Sequence, residues 1–475
     1  MSNRRKFLQN SALLSAGLFT KNTMPSFFSS NEYPSNRPIL SKRKFTSASL
    51  EKYISKQKGA IKDPVISWLF ENCYPNTLDT TVEFEMINNQ PDTYVITGDI
   101  DAMWLRDSTA QITPYLSFIK EDMPLRLLVE GVINRQKKCI LLDRYANAFY
   151  KDVKKESEWK TDITEMKPGI HERKWEIDSL CYPIRLAHQY WKMTGKTEVF
   201  DQDWLQTIQL TVKTFKEQQR KNGDGPYTFQ RPTFWATDGV PLSGYGYPTK
   251  PVGLICSIFR PSDDATIFPF LIPSNCFAVV ALRQAAEMLV AINNQKELAN
   301  ECIQLANEVD AAIQEYGIVS HPKFGKIYAY EVNGFGSYNL MDDANVPSLL
   351  SLPYLGYLKA DNEVYQNTRR FVLSDSNPFF FKGKAGEGIG GPHAGINMIW
   401  PLSIIMRGLT SDSTQEISYC LNLLKNTHAD TGFMHEAFHK DDPKNFTRKW
   451  FAWANTLFGE FIHQISMTHP GILNS

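Results

Sequence analysis

The stretch GFMHEAFH at 432–439 contains the letters H-E-x-x-H. In a zinc peptidase helix that pattern sets two histidines, here His435 and His439, one turn apart on a metal, with Glu436 beside them as general base. The pattern works only on a helix. Here it is preceded by the turn-like NTHADTG, ending in Gly432, and followed at once by HKDDPKNF, with Asp441, Asp442 and Pro443. Such flanks allow a helix of fewer than roughly three turns. No recognisable third ligand follows, so the expectation is that no metal binds here. What remains is a carboxylate, Glu436, among aromatic and polar groups.

Three further clusters carry acids. In GDIDAMWLRDS (98–108), Arg106 with Asp101 and Asp107 offers donors and acceptors suited to vicinal hydroxyls, and Trp104 offers an apolar face. The bland alternative is an internal ion pair of Arg106 with Asp107 or Asp101 that pins a helix start. In ERKWEIDS (172–179), Asp178 or Ser179 can cap the following helix, which leaves Glu176 and Trp175 without a reason. In FRPSDDA (259–265), the adjacent side chains of Asp263 and Asp264 point apart. One is expected to be held by Arg260 while the other faces a ligand, and their mutual repulsion would raise a pKa, as a general acid requires. The glycine-rich GEGIGGPH (386–393) lacks the Lys-Ser/Thr of a phosphate-binding loop. Carboxylates on distant segments, much aromatic surface, no nucleophile elbow and no convincing metal set point to glycoside hydrolysis.

Helices must position these groups. Apolar residues recur at three- and four-residue spacing over 123–138, 179–194, 203–219, 275–294, 295–316, 394–409, 413–427 and 448–466. Between them lie long Gly-, Pro- and aromatic-rich segments at 223–273, 324–353 and 379–392, of the kind that usually carries function. TYVITG and KIYAYEV read as short, isolated strands. A helix pair roughly every 60 to 70 residues suits a closed ring of paired helices with its long loops at one mouth, a helical solenoid being the alternative.

The chain has 475 residues, formal net charge zero and 42% hydrophobic content, enough to bury a large core. Without a basic footprint, nucleic acid is not the expected partner. The N-terminus, MSNRRKFLQNSALLSAGLFT, with Arg4 and Arg5 before a short apolar run, reads as a twin-arginine export signal over 1–25. A polar linker is expected over 26–44 and one catalytic domain over 45–475, with no membrane span. The seven cysteines form no CxxC pair and read as small buried side chains, although Cys256 and Cys276 could join in an oxidising compartment.

Taken in order, GDIDAMWLRDS, ERKWEIDSLCYPI, FRPSDDA, GPHAGINMIWPL and TGFMHEAF resemble the metal-independent exo-α-1,6-mannosidases of glycoside hydrolase family 125, from about residue 45 to the C-terminus. The resemblance implies an all-α (α/α)6 toroid and inverting, cofactor-free removal of non-reducing terminal mannose from a mannose-containing oligosaccharide. It implies that Asp263 or Asp264, with a lean towards Asp263, is the general acid and Glu436 the general base, their carboxyls about 6.5–9.5 Å apart. Trp104, Arg106 and Asp107 would line the terminal-sugar subsite, with Glu176, Asp178, Arg260 and His393 in the same pocket. Other helical-toroid enzymes, a different α-glycosidase or a sugar epimerase, and a non-catalytic glycan-binding protein are the alternatives. The expected location is the periplasm; oligomeric state is open.

Overall fold

A computed structural model describes residues 33–474, so the export signal expected over 1–25 lies outside the described residues. Fourteen α-helices occur among them: α1 Ala48–Ala60, α2 Pro64–Cys73, α3 Asn76–Thr80, α4 Leu105–Ile112, α5 Met123–Leu142, α6 Ile177–Thr194, α7 Gln202–Gln218, α8 Ile272–Ala291, α9 Lys296–Tyr316, α10 Leu352–Leu355, α11 Glu363–Val372, α12 Pro401–Leu409, α13 Thr414–Asn426 and α14 Ala452–Thr468. Their starts follow from local chemistry. Asp122 accepts from the amide of Leu125 ahead of α5, and Asp201 accepts from Trp204 ahead of α7. These side chains satisfy amides that a helix start leaves unpaired.

Burial sorts the helices into two rings. α4 is buried at all eight positions, whereas α9 buries a stripe of Ala299, Cys302, Leu305, Ala306, Val309, Ala312 and Ile313 at three- and four-residue steps. α4 packs on α6, α6 on α8 and α8 on α10, while α12 packs on α14, which returns to α4. Outside them run α2, α5, α7, α9, α11 and α13. The architecture is an (α/α)6 toroid, as the helix periodicity and the family resemblance led us to expect. None of the described helices is long and apolar enough to cross a membrane.

The connections are unequal. Chain passing from an inner helix to the next outer one is short, as at 195–201, 292–295 and 410–413, whereas the return legs 143–176, 219–271, 317–351, 373–400 and 427–451 are long. Every long leg therefore opens at the end where the inner helices begin. Small antiparallel sheets pin these legs together: Met103–Trp104 with Ala148–Phe149 and Ile170–Glu172, Phe270–Leu271 with Glu331–Val332 and Tyr338–Asn339, and Met398–Ile399 with Phe438–His439 and Asp442–Phe446.

Several expectations need correction. The helix expected over 394–409 begins only at Pro401, because Met398 and Ile399 are extended and paired with His439 and Phe438. TYVITG is not isolated, for Gln90–Val95 pairs along its length with Val82–Ile87. The described part of the expected linker docks on the domain. Arg37 is nearly buried and donates to Asp79 at 2.7 Å, and the Trp68 indole donates to the carbonyl of Pro34 at 2.8 Å. Cys256 and Cys276 are both buried and free, so they form no disulfide.

The HEAFH segment is not helical. His439 lies on the strand Phe438–His439, and His435 precedes it in irregular chain, so the two are not stacked on successive turns. His435 is buried, its ring lies flat on Phe446 with centroids 4.0 Å apart, and its Nδ1 donates to the carbonyls of Arg448 and Lys449 at 3.0 and 2.9 Å. Burial outweighs those carbonyls and lowers the imidazole pKa to about 4. In the unfolded chain the same group takes up its proton near pH 6.5. The unfolded state therefore binds more protons between pH 6.5 and 4, and stability that is present above that window is lost as pH falls through it. Urea unfolding across this range should show the loss, and His435→Phe should flatten it. An unchanged slope in the variant would reject His435 as its source.

Candidate active site

The mouth is organised around one guanidinium. Arg106, in the first turn of α4 and almost fully buried, lies 2.5 Å from Glu176 Oε2, 3.2 Å from Asp263 Oδ1, and 3.4 Å from both Asp107 Oδ2 and Asp178 Oδ2. Three of the acid-bearing motifs thus meet on a single side chain. Glu176 stands at the N-cap position of α6 but makes no capping bond with its side chain, and Asp178 falls in the first turn. Glu176 is instead spent on Arg106, on the Ser179 hydroxyl at 3.0 Å and on Asn147 at 3.3 Å. Asn147 Nδ2 also reaches Glu172 and Asp263 Oδ1, each at 3.3 Å.

The two aspartates of FRPSDDA are not equivalent. Asp263 has φ +65°, a left-handed conformation uncommon for a residue with a side chain. Its carbonyl accepts from the buried Lys174 ammonium at 2.7 Å, and that ammonium also contacts Asp238 at 3.0 Å and Glu172 at 3.4 Å. This clamp holds the turn so that the Asp263 carboxyl faces Arg106 while remaining 19% exposed. Asp264, by contrast, is 2% exposed and lies against His393 Nδ1 at 3.6 Å and the Ser262 hydroxyl at 3.4 Å.

Burial pushes the Glu176 carboxyl well above the ordinary range; Arg106 opposes the rise, and the nearby Asp263 and Asp178 reinforce it. Asp178 is likewise raised by burial, to about 6, against the pull of Arg106. Burial would raise Asp263 too, but Arg106, Lys174, a hydrogen bond with Glu176 and His393 together hold it well below the carboxylate range. The expectation of a carboxyl raised by an Asp263–Asp264 clash is thereby corrected: the elevated groups are Glu176, Asp178 and Asp107, raised by burial. Arg260 is corrected as well, since its guanidinium goes to Glu331 at 2.7 Å and lies over Tyr330, and it holds neither aspartate side chain.

Glu436 enters from the leg before α14. It is 12% exposed, accepts from the Thr447 hydroxyl at 2.9 Å and lies 3.4 Å from Arg448 Nη1. Arg448 is also paired with Asp99. Gly98 abuts the ring of Trp450, and the Thr97 hydroxyl donates to Asp107 at 2.5 Å. This chain of contacts ties the Glu436 segment to the one that carries Arg106.

Of the remaining sequence-derived candidates, Trp104 is buried beside the His171 ring, 5.2 Å between centroids, and His393 lies near Trp400, at 5.9 Å. Asp101 does not join the Arg106 cluster. Its side chain is 73% exposed and pairs with Lys155 at 3.0 Å. Sequence reasoning missed Asn147, Lys174, Asp99 and Arg448. Lys174 stands inside ERKWEIDS and Asp99 inside GDIDAMWLRDS, where the neighbouring acids drew the attention; RYANAF, around Asn147, carries no signal at all.

The chain is similar to known proteins. Residues 63–463 match the family described as metal-independent alpha-mannosidase (GH125). The Meiotically up-regulated gene 157 protein of Schizosaccharomyces pombe (strain 972 / ATCC 24843) is 42% identical over 458 residues, which cover 93% of this chain and 90% of that protein. An alpha mannosidase from Streptococcus pneumoniae, solved as a non-productive complex with alpha-1,6-mannobiose, superposes with TM-score 0.85 at 40% identity, covering 89% of this chain and 99% of that one. A bacterial glucoamylase complexed with acarbose, at TM-score 0.54 and 14% identity over 89% of this chain and 59% of its own, shares the fold alone. With the match spanning most of its length, the chain belongs to the GH125 family of metal-independent alpha-mannosidases.

Proposed function

We propose that this protein is an exo-acting α-1,6-mannosidase that removes a non-reducing terminal mannose from oligosaccharides with inversion. The observation that carries the reading is a pair of partly open carboxyls, Asp263 and Glu436, on separate legs of one mouth, in a family relative of a protein solved with alpha-1,6-mannobiose. Asp263 is the general acid, because it is the open member of its pair while Asp264 is turned against His393 and Ser262. Glu436 is the general base and takes a proton from the water that attacks the anomeric carbon on the face opposite the leaving oxygen. Trp104 supplies a wall for the terminal sugar. Arg106 and Asp107 line the same subsite and offer a donor and an acceptor to its hydroxyls.

Release of free mannose from α-1,6-mannobiose, in the presence of excess chelator, tests the reading. Proton NMR of the first turnovers should show β-mannose, the product of a single displacement. An α-anomer would make the reaction retaining and remove the inverting assignment, and no mannose at all would remove the activity.

Glu436→Gln keeps the shape of the side chain and loses only the base. Its kcat should fall by about 10²–10⁴-fold while mannobiose binding, read by calorimetry, persists. Near-normal turnover would exclude Glu436 as the base.

We also propose that the chain is exported to the periplasm, on the strength of Arg4, Arg5 and the apolar run after them. Fractionation of expressing cells should recover a shortened chain outside the cytoplasm. A full-length chain confined to the cytoplasm would refute export.

A further inference from the structure

A general acid must hold a proton at the moment the glycosidic oxygen arrives, yet Asp263 lies beside the positive charge of Arg106 and receives the Lys174 ammonium on its carbonyl. Both surroundings favour the ionised carboxylate.

The charges around it answer the requirement. Four carboxyls, those of Asp107, Glu176, Asp178 and Asp263, lie within 3.4 Å of the one guanidinium of Arg106. One positive charge cannot neutralise four buried negative ones. The adjoining network has none to lend, since Lys174 and Arg231 already serve Glu172, Asp238 and Asp162. Two histidines approach as well, His393 against Asp264 and the buried His171 near Glu172 and Asp263, and burial lowers the pKa of His171, which favours its neutral ring. The cluster must therefore retain protons, and geometry indicates where. Glu176 and Asp263 are bridged twice, by the two terminal nitrogens of Arg106 and by Asn147 Nδ2, which sits 3.3 Å from each carboxyl.

We propose that Glu176 is a positioning residue that stores the proton Asp263 delivers. In the resting protein the proton sits on Glu176 and is donated to the Asp263 carboxylate. When the leaving oxygen enters, the proton crosses to Asp263, and Asp263 passes it to that oxygen as the bond from the anomeric carbon breaks. A bond from that carbon to water forms on the other face, and Glu436 takes the water proton. Glu436 then releases its proton to solvent, and the Glu176–Asp263 pair takes one back. Burial of Glu176 away from solvent, with its carboxyl the higher of the two, agrees with its being the resting site.

The inference rests on Asp263 being the general acid, and the experiment separates the two. Kinetics are measured for Glu176→Gln and Asp263→Asn on α-1,6-mannobiose, whose leaving group needs a proton, and on dinitrophenyl α-mannoside, whose leaving group does not. Glu176→Gln retains hydrogen bonding but carries no acidic proton. Its kcat on mannobiose should fall by about 100-fold or more while activity on the dinitrophenyl substrate falls by less than about 10-fold. The alkaline limb of its mannobiose pH profile should move to lower pH, and Glu176→Asp should restore part of the loss. Equal losses on both substrates with an unmoved pH profile would show a merely structural Glu176 and overturn the proposal. Asp263→Asn must itself show the leaving-group dependence; if it does not, the assignment of the acid fails whatever Glu176→Gln does. Should Glu176→Gln not fold, Asn147→Ala, which leaves both carboxyls and removes their shared bridge along with contacts to Glu172 and the Lys174 amide, should give the same order of losses at smaller size. Equal losses there would overturn the proposal.

Discussion

The mouth of this toroid depends on the pairing of Arg106 with the acids around it. A unit charge pair about 4 Å apart gains about 4 kcal/mol at an effective dielectric near 20, and two acids at the same spacing lose as much. Arg106 lies closer than that to four carboxyls contributed by three motifs. Without the guanidinium the site would be a set of mutually repelling buried acids, and removing one partner of a buried pair typically costs about 3–5 kcal/mol. The arrangement is poor as a stabilising device but effective as a chemical one, because it leaves carboxyls in different protonation states a few ångströms apart.

The fold makes such a cluster tolerable. All six inner helices begin at the mouth, and a helix start carries a partial positive charge with unpaired amides. Arg106 and Asp178 sit in the first turns of α4 and α6, and Glu176 stands just before α6, so the acids gather where the backbone dipoles favour them. The long return legs supply the rest, and short sheets fix them to one another. Trp104 pairs with Ala148, and Ala148 with Glu172, which sets Asn147 and Lys174 beside the Arg106 cluster. Lys174 then reaches the left-handed turn at Asp263. Helix packing gives the frame, and a few backbone pairings in the loops determine where each carboxyl points.

That division explains what could be read from the residues alone. The long helices α5, α6, α7, α8 and α9 were legible because each keeps an apolar period over many turns. The short α4 was seen only as a possible helix start, since a helix buried on all sides shows no polar face and the letters LRDSTAQI look like a polar loop. At 394–409 the period continued into residues that a cross-strand pairing holds extended, a contact forty residues away in sequence that periodicity does not register. Residue chemistry marks Arg106, Glu176, Asp178, the Asp263–Asp264 pair and Glu436, but pairings are not legible from neighbours in the chain. Arg260 was assigned to the aspartates beside it and in fact serves Glu331, while the guanidinium that Asp263 uses comes from residue 106. Asp101 was grouped with Arg106 by proximity and faces outward to Lys155.

The two sides of the mouth differ in a way that suits their proposed roles. Asp263 is set among other acids, so loss of a proton from its cluster is resisted by the remaining negative charge. Glu436 is set among donors, the Thr447 hydroxyl and the Arg448 guanidinium, and its nearest acidic neighbour through Arg448 is the half-exposed Asp99. These donors fix the orientation of the carboxyl whose proposed role is to accept a proton from water. The motif that first suggests a metal, HEAFH, contributes to this second environment in an unexpected way. His435 is not a ligand but a buried ring fixed to the backbone of Arg448 and Lys449, and by anchoring that stretch it keeps Arg448 in reach of Glu436. The histidine beside the base thus acts through packing, and the polarity of the site arises from which cation each carboxyl is given.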